Sequence, residues 1–166
     1  MWSFRRGVDW AGDNTGNTAL PLNCFIDSIN GVDTGNTTGD NPTTPLKTFT
    51  QAKANFGTTY TVIAAPGRYA NEANLNSVVI GDSEDQDVIF VDELGVLTGI
   101  VVANCENLTL KGYLTPVFGI QKNVINCTFL DCPGLALNYM YGCRFINTPV
   151  NRLGGWNTIT DSCTFL

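Results

Sequence analysis

Five short apolar pairs recur along the second half of the sequence: Ile89/Val91, Leu108/Leu110, Cys127/Phe129, Cys143/Phe145 and Cys163/Phe165. The members of each pair lie two residues apart, so on a strand both point to one face. Counted between first members, the pairs are 19, 19, 16 and 20 residues apart. A recurrence of about 20 residues with strand spacing is the mark of a solenoid in which each turn of chain adds one rung. The sequence therefore predicts an all-β fold: a parallel β-helix of about five rungs around a continuous apolar core. A second apolar segment follows each of the first four pairs, at Ile100/Val102, Val117/Phe118, Leu135/Leu137 and Val150/Leu153. It predicts a second strand in each turn. Asn107 and Asn126 each precede a main pair, where asparagines on successive rungs can bond along the stack.

Composition narrows the functional classes. The chain has 166 residues, a length suited to one domain. Its formal charge is −6, with nine Lys and Arg and no histidine, which argues against nucleic-acid binding. No apolar run reaches the ~20 residues of a membrane span. The start, Met1-Trp2-Ser3-Phe4-Arg5-Arg6-Gly7-Val8-Asp9-Trp10, has no apolar h-region and reads as lacking a signal peptide. Three of the six cysteines, Cys127, Cys143 and Cys163, share one rung position beside a Phe. That placement predicts stacked, buried free thiols. With no CxxC and no histidine, zinc ligation is disfavoured.

Residues 1–23 read as an irregular attachment arm and residues 24–166 as the capped β-helix domain. The arm carries Trp2, Phe4 and Trp10, which either pack on the domain itself or dock on a partner. Cys24 to Asp27 reads as a strand, Ser28 to Pro45 as a polar loop, and Tyr60 to Ala65 as a strand stopped by Pro66-Gly67. Between them lies one short helix, over 48–55. Thr48 is its N-cap, Gln51 completes a capping box, Phe49 and Ala52 share a face, and Gly57 ends it.

The segment from Phe25 to Tyr69 resembles the start of right-handed parallel β-helix domains of the pectate-lyase-like superfamily. The carrying residues are Phe25-x-Asp27, Gly31-x-Asp33, the Gly-rich stretch to Gly39, Thr44-Pro45-Leu46-Lys47-Thr48-Phe49, Ala52 and Pro66-Gly67-x-Tyr69. The resemblance covers about a quarter of the chain. It implies a first strand, a loop and a helix that caps the N-terminal end of the core. Polysaccharide lyases and hydrolases, phage tailspikes and fibres, and bacterial surface proteins share that fold, so the resemblance speaks to architecture more than to activity.

Residues with possible chemistry are few. Asp82, Glu84, Asp85 and Asp87 form an acidic stretch that could hold Ca²⁺ or remain a solvated turn. Arg144 points outward from a rung, while Arg68 and Arg152 fall in turns. The later rungs offer Asp131 and Asp161 but no paired carboxylates of the kind glycoside hydrolysis needs. Lack of histidine excludes a Ser-His-Asp triad. No catalytic residues are assigned. Tyr113, Tyr139, Tyr141 and Trp156 could form a sugar platform. Tyr141 shares parity with Cys143 and is expected in the core, which leaves Trp156 as the glycan-binding candidate. Asn36-Thr37-Thr38, Asn107-Leu108-Thr109 and Asn126-Cys127-Thr128 match glycosylation sequons, taken as incidental.

The sequence stops inside a rung at Thr164-Phe165-Leu166. An uncovered solenoid end exposes apolar core, so either the sequence is a fragment or another chain covers Cys163, Phe165 and Leu166. Together with the aromatic arm, this leads to the expectation of a structural bacteriophage virion protein: a fibre, spike or capsid-decoration subunit assembled in the host cytoplasm. Its partners would be copies of itself or other virion proteins, with host-surface polysaccharide as a further ligand. The rivals are a carbohydrate-active module of a bacterial extracellular enzyme and a bacterial surface or matrix protein.

Overall fold

A computed structural model of the chain describes residues 22–35, 37–57, 60–72, 78–83, 85–93, 98–100, 105–112, 115–116, 123–132, 139–148 and 159–166. The elements are β1 (Leu22–Ile26), α1 (Phe49–Phe56), β2 (Tyr60–Ala64), β3 (Gly67–Ala70), β4 (Val78–Gly81), β5 (Val88–Val91), β6 (Thr98–Ile100), β7 (Cys105–Glu106), β8 (Thr109–Lys111), β9 (Thr115–Pro116), β10 (Asn123–Ile125), β11 (Thr128–Leu130), β12 (Tyr139–Tyr141), β13 (Arg144–Ile146), β14 (Ile159–Asp161) and β15 (Thr164–Phe165). The described fold is thus mostly β, with one helix. All strand pairs are parallel. One sheet runs β1-β2-β4-β7-β10-β12-β14, a second runs β3-β5-β8-β11-β13-β15, and β6 pairs with β9 in a third. From β2 onward, the strands of the two long sheets alternate along the chain, an order compatible with a parallel β-helix.

The chain passes between the long sheets through corners in left-handed backbone. Asn107, Asn126, Gly142 and Ser162 have φ of 58, 50, 63 and 54°. Each is followed by one inward residue: Leu108, Cys127, Cys143 or Cys163. At the far end of the second-sheet strands, Gly112, Asp131 and Asn147 have φ of 77, 55 and 47°. Asn, Asp and Gly accept this conformation where branched side chains do not. Each turn therefore carries a six-residue unit: a left-handed corner, an inward residue, three strand residues and a second corner. Backbone bonds run from corner to corner, as from Gly112 N to Leu130 O (3.0 Å) and from Asp131 N to Ile146 O (3.0 Å).

The apolar core follows the registers. Tyr69, Phe90, Leu110, Phe129, Phe145 and Phe165 occupy one column of the second sheet. Rings stack along it: Tyr69 on Phe90 at 4.9 Å, Phe129 on Phe145 at 5.1 Å, and Phe145 on Phe165 at 4.9 Å between centroids. All except Phe165 are buried. Opposite them, Val62, Val79, Cys105, Val124 and Met140 line the first sheet in register and are buried.

Three sequence expectations need correction. Ile89 and Val91 are not the inward pair of their strand. Phe90 pairs with Leu110 and joins the core cluster with Val88, whereas Ile89 is half-buried and Val91, though buried, lies outside that cluster. The run Val88-Ile89-Phe90-Val91 is apolar at every position, so spacing alone does not fix which face turns in. Tyr141, expected in the core, is 47% exposed. The Gly142 corner separates it from Cys143, and parity does not carry across a corner; Met140 is the buried residue of that strand. Arg68 lies in β3, not in a turn, and its guanidinium meets Glu93 at 2.6 Å. Of the second apolar segments, Ile100 lies in β6, and the rest fall outside the described residues.

The helix closes the β1 end of the core. It spans Phe49–Phe56, with Thr48 as N-cap and Gly57 (φ 76°) at its end. Phe49, Ala52 and Leu46 are fully buried. Only half of the expected capping box forms: Thr48 Oγ1 accepts from Gln51 N at 3.1 Å, but Gln51 donates onward to Asn55 (2.9 Å). Two distant carboxylates do the remaining work. Asp33 accepts from Lys47 N (2.7 Å), Thr48 N (3.2 Å) and Thr48 Oγ1 (2.6 Å). Glu72, itself buried, accepts from Phe49 N (3.1 Å), Thr50 N (2.9 Å) and Thr50 Oγ1 (2.7 Å). A carboxylate suits this position because the first helical N–H groups lack intrahelical partners and carry the positive end of the dipole.

Glu72→Gln is expected to destabilise the fold by about 1–3 kcal/mol. The amide keeps one acceptor but turns an NH₂ group toward an N–H donor. Urea unfolding monitored by circular dichroism measures the difference; an unchanged midpoint would show that Glu72 is not the cap.

Candidate functional site: the exposed final rung and the loop before β5

The anticipated assembly surface is partly described. Trp2, Phe4 and Trp10 lie outside the described residues, as do Trp156, the glycan candidate, and Glu84. Cys163, Phe165 and Leu166 are described. Cys163 is half-buried, Phe165 is 54% exposed and Leu166 is 71% exposed. Phe165 nevertheless continues the inward column, stacked 13° from parallel on Phe145. Its backbone is held on one side by Thr164 N to Cys143 O (2.8 Å) and Leu166 N to Phe145 O (2.8 Å). An aromatic residue with an inward register and half its surface uncovered is an apolar shelf. Further protein seated on it would bury Phe165 and Leu166.

The acidic stretch is organised by its polar neighbour. Gln86 stands in left-handed backbone (φ 59°) and lies across successive turns. Its Nε2 donates to Asn126 Oδ1 (2.7 Å), its backbone carbonyl accepts from Thr109 Oγ1 (2.8 Å), and Thr128 Oγ1 donates to its Oε1. Asn126 Nδ2 donates to Asn107 Oδ1 (2.8 Å), so the expected asparagine ladder forms, and Gln86 extends it. The same bonds occupy two of the three sequons, those at Asn107 and Asn126: each Asn is tied into the ladder and each Thr hydroxyl is used. Around Gln86, Asp85 and Asp87 are exposed and Asp82 is half-buried. Among the described residues no group of three or more His, Cys, Asp or Glu side chains could hold a metal ion. The described geometry here is that of a clamp on the corner.

The other polar groups sit in structural roles as well. Asp27 accepts from Ile29 N (2.8 Å), Asn30 N (2.9 Å) and Asn30 Nδ2 (3.0 Å). Burial disfavours its charge, yet these donors outweigh burial and hold its carboxyl below the ordinary range. The Tyr69 hydroxyl lies within hydrogen-bonding distance of Ile26 O (3.0 Å) and Ala65 O (2.9 Å). Burial raises its pKa above the usual phenol value. Gly31 has no room for a side chain: a Cβ would fall 2.3 Å from Leu46 O. The Gly31-x-Asp33 and Leu46-Lys47-Thr48-Phe49 elements thus meet in the cap. Arg144, outward on β13, is exposed.

Comparison with protein-family models, curated proteins and solved structures gives no match.

The thiols behave as a buried set. All six cysteines are free, and all but Cys163 are buried. Burial pushes the Cys24 and Cys143 thiols up to about 12. Thiols held protonated in this way are poor nucleophiles. Among the described residues no helix is long and apolar enough to cross a membrane.

Proposed function

We propose that the chain is a right-handed parallel β-helix of the pectate-lyase-like kind and serves as the stiff structural body of a bacteriophage virion component: a fibre, spike or capsid-decoration subunit. The observation that carries the assembly part is the exposed Phe165–Leu166 shelf, in register with a buried aromatic column. Uncovered apolar surface of this kind is where further protein packs, whether another chain or more of the same one, and large aromatics often anchor interfaces. At the β1 end, Gly39 O and Leu46 occupy the edge of β1, and Phe49 closes the core. Trp2, Phe4 and Trp10 provide the second contact in this reading, through an arm that precedes β1. The buried, raised-pKa thiols and the structural use of Asp27, Asp33 and Glu72 favour a scaffold over a catalyst.

The test is the state of the 166-residue chain in solution. Light scattering coupled to size exclusion at micromolar concentration is expected to give an oligomer. Phe165→Asp, placed on a half-exposed site that tolerates charge, is expected to dissociate it without loss of fold. Removal of residues 1–21, which spares β1, is expected to leave a folded body that no longer joins its assembly. A monodisperse monomer overturns the reading and returns the stand-alone carbohydrate-active module to first place.

A further inference from the structure

Cys105 and Cys127 belong to different turns, 22 residues apart in sequence, and their sulfurs meet at 3.6 Å inside the core. Cys105 lies on β7, in register with Val79 and Val124. Cys127 follows the Asn126 corner and occupies the column of Cys143 and Cys163. Both thiols are buried. Cys127 Sγ also lies 3.2 Å from Ile125 O, and the other central sulfurs are likewise turned to carbonyls: Cys132 to Leu110 O and Leu130 O, and Cys143 to Val124 O and Tyr141 O. A separation of 3.6 Å is van der Waals contact. A bond of about 2.05 Å needs a closing motion between the two sulfurs.

We propose that Cys105 and Cys127 form a latent cross-link between neighbouring turns, open in a reducing medium and closed by a small disulfide oxidant when the core is accessible. The step balances against a glutathione-type disulfide. The Cys127 thiolate attacks one sulfur of the oxidant, its S–S bond breaks, and the first glutathione thiolate leaves. The Cys105 thiolate then attacks the Cys127 sulfur of the mixed disulfide, and the second glutathione thiolate leaves. The two protein thiol protons end on the two glutathione thiols. The protein pair loses two electrons and the oxidant gains them. Burial sets the timing. Neither thiol meets the oxidant in the closed stack, and the hydrogen bond with Cys127, followed by burial, pushes the Cys105 thiol well above its usual pKa. The cross-link therefore forms during folding or transient opening and, once formed, is shielded from reductant. It adds a covalent tie between turns already joined by backbone bonds, core packing and the Asn126–Asn107 contact. This inference stands independently of the virion reading.

The experiment compares two samples of the full chain exposed to the same mixture of oxidised and reduced glutathione. One is kept native; the other is unfolded in denaturant and refolded in the mixture. Both are alkylated and mapped as peptides by mass spectrometry. The refolded sample is expected to carry a Cys105–Cys127 disulfide as its predominant pair, with the mass of two hydrogens lost. Its unfolding temperature is expected to exceed that of the reduced protein and to fall back after unfolding in dithiothreitol. The native sample is expected to stay reduced over the same time. Cys105→Ser is expected to abolish the cross-link; because the mapping is made on the unaltered chain, failure of that variant to fold does not affect the result. Scattered pairing, a predominant partner other than Cys105 for Cys127, or equally fast oxidation of the native sample overturns the proposal.

Discussion

Phe145→Ala is expected to cost about 3–5 kcal/mol, the range for deleting a buried aromatic side chain. Phe145 is almost fully buried, and its ring lies between Phe129 at 5.1 Å and Phe165 at 4.9 Å. The substitution removes two stacked contacts, each worth ~0.5–1.5 kcal/mol beyond area burial. The void cannot close easily, because β11, β13 and β15 are fixed by ladder bonds on both sides of the missing ring. A domain of ordinary stability, ~5–15 kcal/mol, would lose a large part of its margin. Chemical denaturation of both proteins measures the loss. A cost below ~1 kcal/mol, the level of a tolerated core swap, would mean that the column is not packed as described.

How much of this was legible in the sequence depends on the corners. From Asn107 onward, each inward pair is flanked by residues that tolerate left-handed backbone, so spacing and turn chemistry agree. There the pairs Leu108/Leu110, Cys127/Phe129 and Cys143/Phe145 are buried. They are not, however, pairs on one strand. The first member lies in the corner and the second on the strand, and both point inward because the corner turns the chain. The strands of the first sheet were harder to find. β7 has two residues, and β10 and β12 have three each, too few for a period-two pattern to register. Tyr141 was misplaced for this reason. At β5 the difficulty was the reverse: four consecutive apolar residues offer no polar position to mark the outer face, and the register slipped by one.

The cap shows what a motif can and cannot say. Gly31, Asp33, Leu46, Thr48 and Phe49 were visible as a recurring order of residues, and the structure gives each a mechanical task. Gly31 admits a close approach of Leu46, Asp33 binds the backbone entering the helix, and Phe49 fills the end of the core. None of these tasks is chemistry on a ligand, so the motif carries architecture alone. Glu72 was missed. It lies 22 residues beyond Thr50, whose N–H it accepts, and no local pattern links a carboxylate after β3 to a helix N-terminus before β2. Only the parallel stacking of turns brings them together. Gln86, 40 residues from Asn126, was hidden in the same way inside what read as an acidic loop.

Phe49→Asp is expected to abolish the native fold, with aggregation as the visible result. Phe49 is fully buried in the core cluster beside Leu46 and Ala52. The change deletes a large side chain, at ~3–5 kcal/mol, and places a carboxylate where no cation stands among the core residues. An unpaired buried charge costs several kcal/mol more, or forces the group to take up a proton. The sum reaches the whole margin of a typical domain. Glu72 adds to the penalty, since its carboxylate already binds Phe49 N at 3.1 Å and a second negative charge at this residue repels it. Once the helix lifts, the edge of β1 and the end of the aromatic column become a template for pairing with other chains. Phe49→Leu serves as the control: it keeps an apolar plug, and it is expected to remain soluble and folded at reduced stability. Soluble yield, circular dichroism and light scattering of the two variants decide the matter. A soluble, fully folded Phe49→Asp protein would show that the helix is not what closes the core.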